Sequence, residues 1–443
     1  MTTEAFVMVV QLLAGLSVIV IIHELGHLLA ARWFGMKVEK FYLFYDIGGF
    51  SIWRQKIGEI EYGIGWLPLG GYVKIAGMVD ESLDTQNLDS SPNPWEFRAK
   101  PAWQRLIVMI AGVVMNIILG VMLLGILTYT QGETRTPIHM LSQGIWPDSI
   151  GQAAGLRPGD IPLSVSGRAI HYLEDLMQSS IWLGDDTVRL DVLRGSDTVT
   201  VLITDGPLEE IRHGALSTLF VPQLGFSVEK VVPGTPAASV GLRPGDSIVA
   251  VNDEPVRSFQ QFRSILKENA GRPVYLRISR GGTLIGVKVR PRLDGTIGFM
   301  AHLQPPPVEH QYYGLLTSFR RGIDRGFEIL GGTIRGVGKL LTGQMDPARS
   351  VQGPISIARK IYGGQWDWVR FWTITALLSL VIGLMNLLPI PALDGGHVIL
   401  LFVEIVRGKP LPTRALVIIQ NVGMILLAFL FVWIIVNDIV QNF

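Results

Sequence analysis

The chain has no cysteine, few charged residues and no basic tail. Without cysteine, disulfides and thiolate metal ligands are both excluded, so any metal has to be held by histidine or carboxylate. Charged residues make up 17% of the 443 residues and the formal net charge is +1, which gives no electrostatic footprint for nucleic acid. Hydrophobic residues make up 48%, and the mean hydropathy is positive. Such a composition is too apolar for an ordinary soluble protein.

Four apolar stretches are long enough to cross a hydrocarbon core, which needs about 20 residues. They cover about 5–34, 103–129, 370–389 and 413–436. The first is too long for a signal-peptide core and has no basic residues before it, so we interpret it as a retained transmembrane helix. The third is predicted to end at Pro389, because Pro389 and Pro391 cannot continue a helix.

An H-E-x-x-H motif lies inside the first apolar stretch, at residues 23–27. Ionisable side chains at membrane depth are costly and indicate function by default. On a helix His23 and His27 lie one turn apart on one face, as two zinc-binding imidazoles do, and Glu24 beside them suits a general base. Two core histidines satisfied by hydrogen bonds are the alternative, which is weaker here because three adjacent ionisable groups need partners at low dielectric. The motif therefore predicts zinc-dependent hydrolysis within a bilayer.

A catalytic zinc takes three protein ligands and keeps one position open, so the chain has to supply one more ligand. Asp394 is the candidate, because it follows the third span where two prolines force a non-helical path and Gly395 and Gly396 allow close backbone approach. Two alternatives stay open. Asp394 could be the N-cap of a helix over about 397–406, or His397 could be the ligand instead.

About 240 residues of mixed composition separate the second and third spans, and they contain an internal repeat. The hexamer Gly-Leu-Arg-Pro-Gly-Asp occurs at 155–160 and again at 241–246. After each hexamer the pattern predicts a strand, a helix and a further strand: 161–165, 173–181 and 188–193 in the first copy, and 247–251, 258–268 and 274–278 in the second. A repeat of this length is a domain rather than a solenoid unit.

The hexamer and the alanines before it resemble the A-x-x-A-G-L-x-x-G-D turn of PDZ domains. That resemblance implies two α+β domains that bind extended peptides by adding a strand to a sheet edge. In the second copy, Leu224-Gly225-Phe226 is a candidate carboxylate-binding loop, with Gly298-Phe299 as the alternative if the domain is circularly permuted. The first copy has no obvious equivalent.

Two further segments are predicted to associate with the membrane. Residues 39–75 mix aromatic residues, glycines and β-formers, which indicates hairpins beside the active site rather than another helix. Residues 313–342 form an Arg-rich amphipathic pattern, which favours a helix on the membrane surface.

Together these motifs resemble the site-2 protease family of intramembrane zinc metalloproteases, in its RseP-like branch (regulator of sigma-E protease) with tandem PDZ domains. The matching motifs occur in the family's order: H-E-L-G-H at 23–27, P-L-G-G-Y-V-K at 68–74, the PDZ repeat, G-P-I-S-I-A at 353–358 and N-x-x-P-x-P-x-L-D-G-G at 386–396. The family's G-F-G-F element after the first span is absent, and Y-D-I-G-G-F at 45–50 stands in its place.

The resemblance implies a catalytic core of the first three spans and a set of site residues. These are zinc ligands His23, His27 and Asp394, the acid/base Glu24, and Asn386, Pro389 and Pro391 to receive and unwind the substrate helix. It implies that the substrates are single-pass membrane proteins, of anti-sigma-factor or remnant signal-peptide type, trimmed beforehand by another protease. The PDZ pair would filter them by size and could also bind peptides.

The loop between the third and fourth spans carries Arg407, Lys409 and Arg414, which favours the cytoplasmic side. We therefore expect a multi-pass protein of the bacterial inner membrane, in contact with the lipid bilayer and not with nucleic acid. Its active site would face the cytoplasmic side, and its PDZ-like domains the periplasm.

The predicted fold is a polytopic α-helical membrane protein with about four transmembrane helices, membrane-associated β-hairpins and two inserted PDZ-like α+β domains. The predicted regions are 1–134 (spans one and two with the β region), 135–215 and 216–305 (PDZ-like domains), 306–365 (amphipathic region) and 366–443 (spans three and four). Two other functions are open. One is a membrane-anchored PDZ scaffold with an inactive metal site, which the base Glu24 argues against; the other is a transporter with a midplane ion site, which the PDZ repeat argues against.

Overall fold

The structure is a computed structural model that describes residues 3–78, 92–177, 182, 187–210, 221–343, 347–351, 353–409 and 411–442. The chain divides into two compact units. The first combines Met1–Gly132 with Tyr312–Phe443, and the second is the inserted stretch Glu133–Gln311.

Helices dominate the first unit, and the second unit has only short ones. In chain order the helices are α1 (Thr3–Trp33), α2 (Ala102–Gln131), α3 (Ser149–Ala153), α4 (Asp205–Glu210), α5 (Pro236–Ser239), α6 (Phe259–Glu268), α7 (Leu315–Leu341), α8 (Pro347–Ser350), α9 (Pro354–Ser356) followed by a π-helix (Ile357–Tyr362), α10 (Trp368–Asn386), α11 (Asp394–Arg407) and α12 (Thr413–Asn442).

The strands are β1 (Val38–Tyr45), β2 (Ser51–Ile57), β3 (Ile60–Gly65), β4 (Leu67–Ile75), β5 (Glu133–Arg135), β6 (Ile145–Trp146), β7 (Ile161–Val165), β8 (Arg168–Ala169), β9 (Thr187–Arg194), β10 (Asp197–Thr204), β11 (Val221–Pro222), β12 (Phe226–Val231), β13 (Ser247–Val251), β14 (Glu254–Pro255), β15 (Val274–Arg280), β16 (Thr283–Val289), β17 (Phe299–Leu303) and β18 (Glu309–Gln311).

Four helices in the described residues are long and apolar enough to cross a membrane, which confirms the prediction of four apolar spans. They are α1, α2, α10 and most of α12. The third span ends at Asn386, earlier than the predicted Pro389. The backbone N–H groups of Leu387 and Leu388 bond three residues back, to Leu384 and Met385, in a tight final turn. Proline at 389 explains the early end, because it disfavours helical backbone in the residue before it.

The first three spans pack closely because glycines remove side chains where the helices meet. A Cβ on Gly26 of α1 would lie 2.5 Å from the Ala111 carbonyl oxygen of α2. A Cβ on Gly120 of α2 would lie 2.5 Å from Leu380 Cγ of α10. Small residues at helix contacts are the usual basis of packing between membrane helices.

Residues 38–75 form one four-stranded sheet in the order β2-β3-β1-β4. β2 and β3 form the predicted kind of hairpin around Gly58, which has φ +63°. β1 and β3, however, pair in parallel, which hairpins alone did not predict. Tyr42 pairs with Gly63 there, and its ring fills the space that a side chain at 63 would occupy, with Cβ only 2.3 Å away. The parallel pair thus depends on a contact between residues far apart in the chain.

The amphipathic pattern at 313–342 does form a helix, α7. Its small residues Ser318, Gly322 and Gly326 are buried, and a Cβ on Gly322 would meet the Gly125 backbone nitrogen of α2 at 2.7 Å. The prediction of a helix on the membrane surface did not include this contact. α7 packs along the second span through a stripe of small residues.

The two copies of the repeat have the same strand order. The first sheet runs β8-β7-β9-β10 and the second β14-β13-β15-β16. α6 begins one residue after the predicted Ser258, whose hydroxyl caps it by accepting a hydrogen bond from the Gln261 N–H. Of the helix predicted over 173–181, Leu173–Met177 is a 3-10 helix and 178–181 lie outside the described residues. The assignment of both copies to the PDZ family stays a prediction.

The repeated hexamer ends in a buried aspartate that is held in the same way in both copies. Each carboxylate accepts two hydrogen bonds from an arginine 34 residues later and one from a backbone N–H three residues earlier; the partners are Arg194 and Arg157 for Asp160, and Arg280 and Arg243 for Asp246. Burial alone would raise the pKa of Asp246, but the hydrogen bonds from Arg280 and the Arg243 N–H hold it below its ordinary value. The hexamer therefore recurs as a turn whose buried charge needs a paired arginine.

The candidate carboxylate-binding loop Leu224-Gly225-Phe226 lies at the start of β12. The Leu224 carbonyl accepts a hydrogen bond from the Phe259 N–H at the start of α6 (3.0 Å), and the Gly225 carbonyl accepts one from the Gln304 N–H (2.8 Å). The loop is therefore held between α6 and the end of β17, and its role in peptide binding stays a prediction.

Candidate metal centre

His23, His27 and Asp394 come together in the first unit, and they are the group in the described residues with the arrangement of a metal site. His23 Nε2 and His27 Nε2 are 3.2 Å apart. Asp394 Oδ2 lies 3.1 Å from His23 Nε2 and 3.4 Å from His27 Nε2. Both histidines are at least nine-tenths buried. Three ligand atoms from two separate helices therefore converge on one point.

A zinc ion fits this triangle of atoms. Tetrahedral zinc with bonds of about 2.0 to 2.1 Å places its ligand atoms about 3.3 to 3.4 Å apart, close to the three distances observed. Asp394 Oδ2 is buried and makes no hydrogen bond to the described residues, so it is available to a cation. Neutral imidazoles and a carboxylate also form a donor set that zinc prefers. His23, His27 and Asp394 would hold the ion.

The second ring nitrogen of His27 fixes which nitrogen points to this triangle. His27 Nδ1 lies 2.8 Å from the Val108 carbonyl oxygen on α2. A carbonyl only accepts, so Nδ1 carries the hydrogen and donates it, which leaves the Nε2 lone pair for the metal. Backbone of the second span thus orients a side chain of the first.

His23 is contacted by two asparagine side chains. Asn116 of α2 places its amide nitrogen 3.2 Å from His23 Nδ1, and Asn386 at the end of α10 places its amide nitrogen 3.3 Å from His23 Nε2. The sequence singled out Asn386 but not Asn116. No local pattern marks Asn116, because its contact with His23 forms only when α1 and α2 pack together.

Gly112 brings the backbone of α2 against both histidines. A Cβ at this position would lie 2.3 Å from His27 Nε2 and 2.7 Å from His23 Cε1. No side chain fits there without moving the rings. Gly112, like Asn116, is not marked by the sequence, since a glycine inside an apolar helix carries no signal of its own.

Asp394 is the first residue of α11 and not its N-cap. The N-cap is Leu393, and the Asp394 carboxylate points to the histidines. The position depends on glycine: a Cβ on Gly395 would lie 2.2 Å from the Leu388 carbonyl oxygen, so the first turn of α11 packs directly on the bend before it. His397, the other candidate ligand, does not belong to the convergent group.

The two prolines lie in the bend between α10 and α11. Pro389 is exposed, whereas Pro391 is half-buried and its carbonyl lies 2.3 Å from where a Cβ on Gly423 of α12 would be. The structure therefore gives Pro391 a packing contact with the fourth span. Pro389 precedes Asp394 in this bend, and its exposed ring is accessible to a binding partner.

Glu24 lies on α1 beside His23, is mostly buried, and faces β4. A Cβ on Gly71 of β4 would lie 2.6 Å from Val20 Cγ1 and 3.3 Å from Glu24 Cγ, so the absence of a side chain at 71 lets the strand approach the helix at this level. β4 is an outer strand of its sheet, with β1 on one side and no strand on the other among the described residues. The candidate base therefore lies next to a sheet edge.

Comparisons with known proteins support a proteolytic site. A family model described as Peptidase family M50 matches residues 11–430. The chain is 29% identical to the regulator of sigma-E protease RseP of Escherichia coli and 29% identical to protease RseP of Yersinia pestis, in each case over 96% of this chain and 97% of the relative. A Neisseria meningitidis protein named as a zinc metalloprotease is 28% identical over 92% of both chains.

Proposed function

The chain belongs to the site-2 protease family, peptidase family M50, and from this premise we propose that it is a zinc-dependent endopeptidase that cuts peptide bonds within or near transmembrane segments. The family is zinc-dependent, and the resemblance identified from the motifs is confirmed. The observation that carries the proposal is the triangle of His23, His27 and Asp394 with Glu24 beside it. The two histidines and Glu24 lie on α1, which is long and apolar enough to cross a bilayer.

The roles of the chain's own groups follow from their positions. Zinc, when bound, supplies a Lewis acid that makes water more acidic and polarises the scissile carbonyl. Glu24 accepts the proton of the attacking water and delivers it to the leaving amine. Asn386, whose amide lies beside His23, donates a hydrogen bond to the substrate backbone and so holds the scissile peptide at the centre.

A transmembrane substrate has to be unwound before it is cut, because its carbonyls are occupied by helical hydrogen bonds. In a bilayer the freed backbone groups need new partners. The outer edge of β4 supplies them next to Glu24, by pairing with the opened substrate as an added strand. The exposed Pro389, in the bend that leads to Asp394, would contact the substrate helix where it opens, and Pro391 keeps that bend in place against the fourth span.

The second unit, inserted in the chain between the second span and α7, would select substrates rather than cut them. As a tandem PDZ pair it would exclude single-pass proteins with bulky outer portions and admit those already trimmed by another protease. The name of the Escherichia coli relative, a regulator of sigma-E protease, supports an anti-sigma-factor type of substrate. The positive loop around Arg407 supports an inner-membrane protein with the centre toward the cytoplasm and this unit in the periplasm.

The test uses the full-length protein in proteoliposomes with a labelled single-pass substrate, in wild type, Glu24→Gln and Glu4→Gln. Glu4 is the matched control, since it is exposed in the first turn of the same helix. We expect stoichiometric zinc in all three proteins and loss of cleavage only in Glu24→Gln. Equal cleavage in wild type and Glu24→Gln would contradict the proposal and favour a membrane-anchored peptide-binding scaffold.

A second substrate, with a folded domain added to its outer end, tests the proposed selection of substrates by size. If the second unit excludes bulky substrates, this substrate is cleaved more slowly.

A further inference from the structure

We infer that Asn116 is a positioning residue that selects the tautomer of His23 and so prepares its Nε2 to bind zinc. This inference rests on the zinc centre of the proposed function. It assigns a role to a residue of the second span that contributes no metal ligand itself.

The contact is made in a fully buried place. Asn116 has 0% of its surface exposed, and one end of its amide lies 3.2 Å from His23 Nδ1. The other end of the amide has no hydrogen-bond partner among the described residues. An unsatisfied buried polar atom costs about 1–3 kcal/mol, so an amide in this place needs a compensating interaction.

The chemistry of imidazole decides which end of the amide faces His23. His23 Nε2 is the nitrogen that meets His27 and Asp394, so as a ligand it carries no hydrogen, and Nδ1 has to carry one. Nδ1–H needs an acceptor, and of the two ends of the Asn116 amide only the oxygen accepts. The two ends have the same shape, so the hydrogen-bond network assigns them. In the structure the amide nitrogen faces Nδ1, so the Asn116 amide is turned by about 180° in this assignment. With Oδ1 toward Nδ1–H, Asn116 serves His23 as the Val108 carbonyl serves His27.

The third span holds Asn116 in this position. The Ser379 hydroxyl donates a hydrogen bond of 2.7 Å to the backbone carbonyl oxygen of Asn116. Gly383, one turn further along α10, leaves room for the side chain, since a Cβ there would lie 3.1 Å from Asn116 Cβ. Packing of α2 against α10 therefore orients the amide that orients His23.

Removing the acceptor should weaken zinc binding and keeping it should not. Partners that orient a metal-binding histidine are worth about 10- to 100-fold in metal affinity. We expect Asn116→Leu, which keeps the volume and loses the acceptor, to lower zinc affinity by about that factor. Asn116→Asp keeps an acceptor oxygen in the same place and should retain affinity close to that of wild type.

The experiment measures zinc affinity of the full-length protein in detergent by competition with a chromogenic chelator, so it does not depend on proteolysis. Thr128→Val is the matched control, a buried polar position three turns further along α2. X-ray absorption at the zinc edge then counts imidazole ligands, which should fall from two toward one in Asn116→Leu. If that variant does not fold, Asn116→Ala makes the same comparison with Asn116→Asp.

Unchanged affinity in the variants without an acceptor, or equal loss in Asn116→Asp, would overturn the inference. These results would leave the proposed protease untouched. If instead the wild type binds zinc and cleaves no membrane substrate, the proposed function fails and the affinity order of the Asn116 variants still holds.

Discussion

Gly112→Ala adds a single methyl group at the point where the second span meets His23 and His27, the two histidines that we propose bind zinc. The new Cβ would lie 2.3 Å from His27 Nε2, and 2.7 Å and 2.9 Å from His23 Cε1 and Nε2. Its neighbours are ring atoms that are already fixed by the Val108 carbonyl and by Asn116. The clash therefore falls on atoms with little freedom to move.

The size of the effect follows from these distances. Carbon in ordinary contact needs about 3.5 Å, so the His27 ring or the α2 backbone has to move by about 1 Å. A displacement of about 1 Å from a productive geometry costs about 100-fold in rate. Reorienting a ligand also lowers metal affinity by about 10- to 100-fold. We expect Gly112→Ala to lose both zinc and cleavage by these factors.

The assay compares zinc content and cleavage in proteoliposomes for wild type, Gly112→Ala and Gly120→Ala. Gly120 is the matched control on the same helix, since a Cβ there would lie 2.5 Å from Leu380 Cγ, a side chain away from the metal centre. The Gly120→Ala variant should keep its zinc, whether or not its melting temperature falls. Full zinc and wild-type cleavage in Gly112→Ala would refute the reasoning.

Other perturbations test an ion pair of the first unit, a buried aspartate of the second unit and zinc binding itself. Glu404→Gln leaves Arg105 of α2 without its ion-pair partner on α11, so it should lower stability by about 3 kcal/mol; an unchanged melting temperature would contradict this. Because the pKa of Asp246 is held below its ordinary value of about 4, its stabilisation is complete above that pH and is lost as pH falls through the folded-state pKa. Protection of 241–289 from hydrogen exchange should fall on acidification in wild type and in Asp294→Asn, an exposed control, and should depend less on pH in Asp246→Asn. Added zinc should raise the melting temperature of wild type but not of Asp394→Asn, since a bound ligand stabilises only a protein that binds it.

The features that the sequence predicted well are those that depend on residues close together in the chain. The apolar spans follow from composition and length. The placement of His23 and His27 on one face of a helix follows from their spacing of four residues. The repeated hexamer gave the positions of β7 and β13 to the residue, because the turn before each strand is defined by glycine and proline. The third span was predicted to end three residues too late, because the proline rule marks where a helix cannot continue and not where it stops.

The features that the sequence did not predict depend on contacts between distant residues. The parallel pairing of β1 with β3 rests on Tyr42 packing over Gly63. Asn116 and Gly112 carry no signal in the sequence of an apolar helix, because their contacts with His23 and His27 form only when α1 packs against α2. Asp394 suited both a helix cap and a metal ligand, and only the position of its carboxylate relative to the histidines separates the two.

The measurement that tests the central claim most directly is the mass of the products released from a single-pass substrate in proteoliposomes. The account predicts a cut inside or at the border of the apolar segment, made by the zinc-loaded wild type and absent both in Glu24→Gln and after zinc is removed by a chelator. A cut confined to the soluble part of the substrate, or one that persists without zinc or without the Glu24 carboxylate, would contradict it.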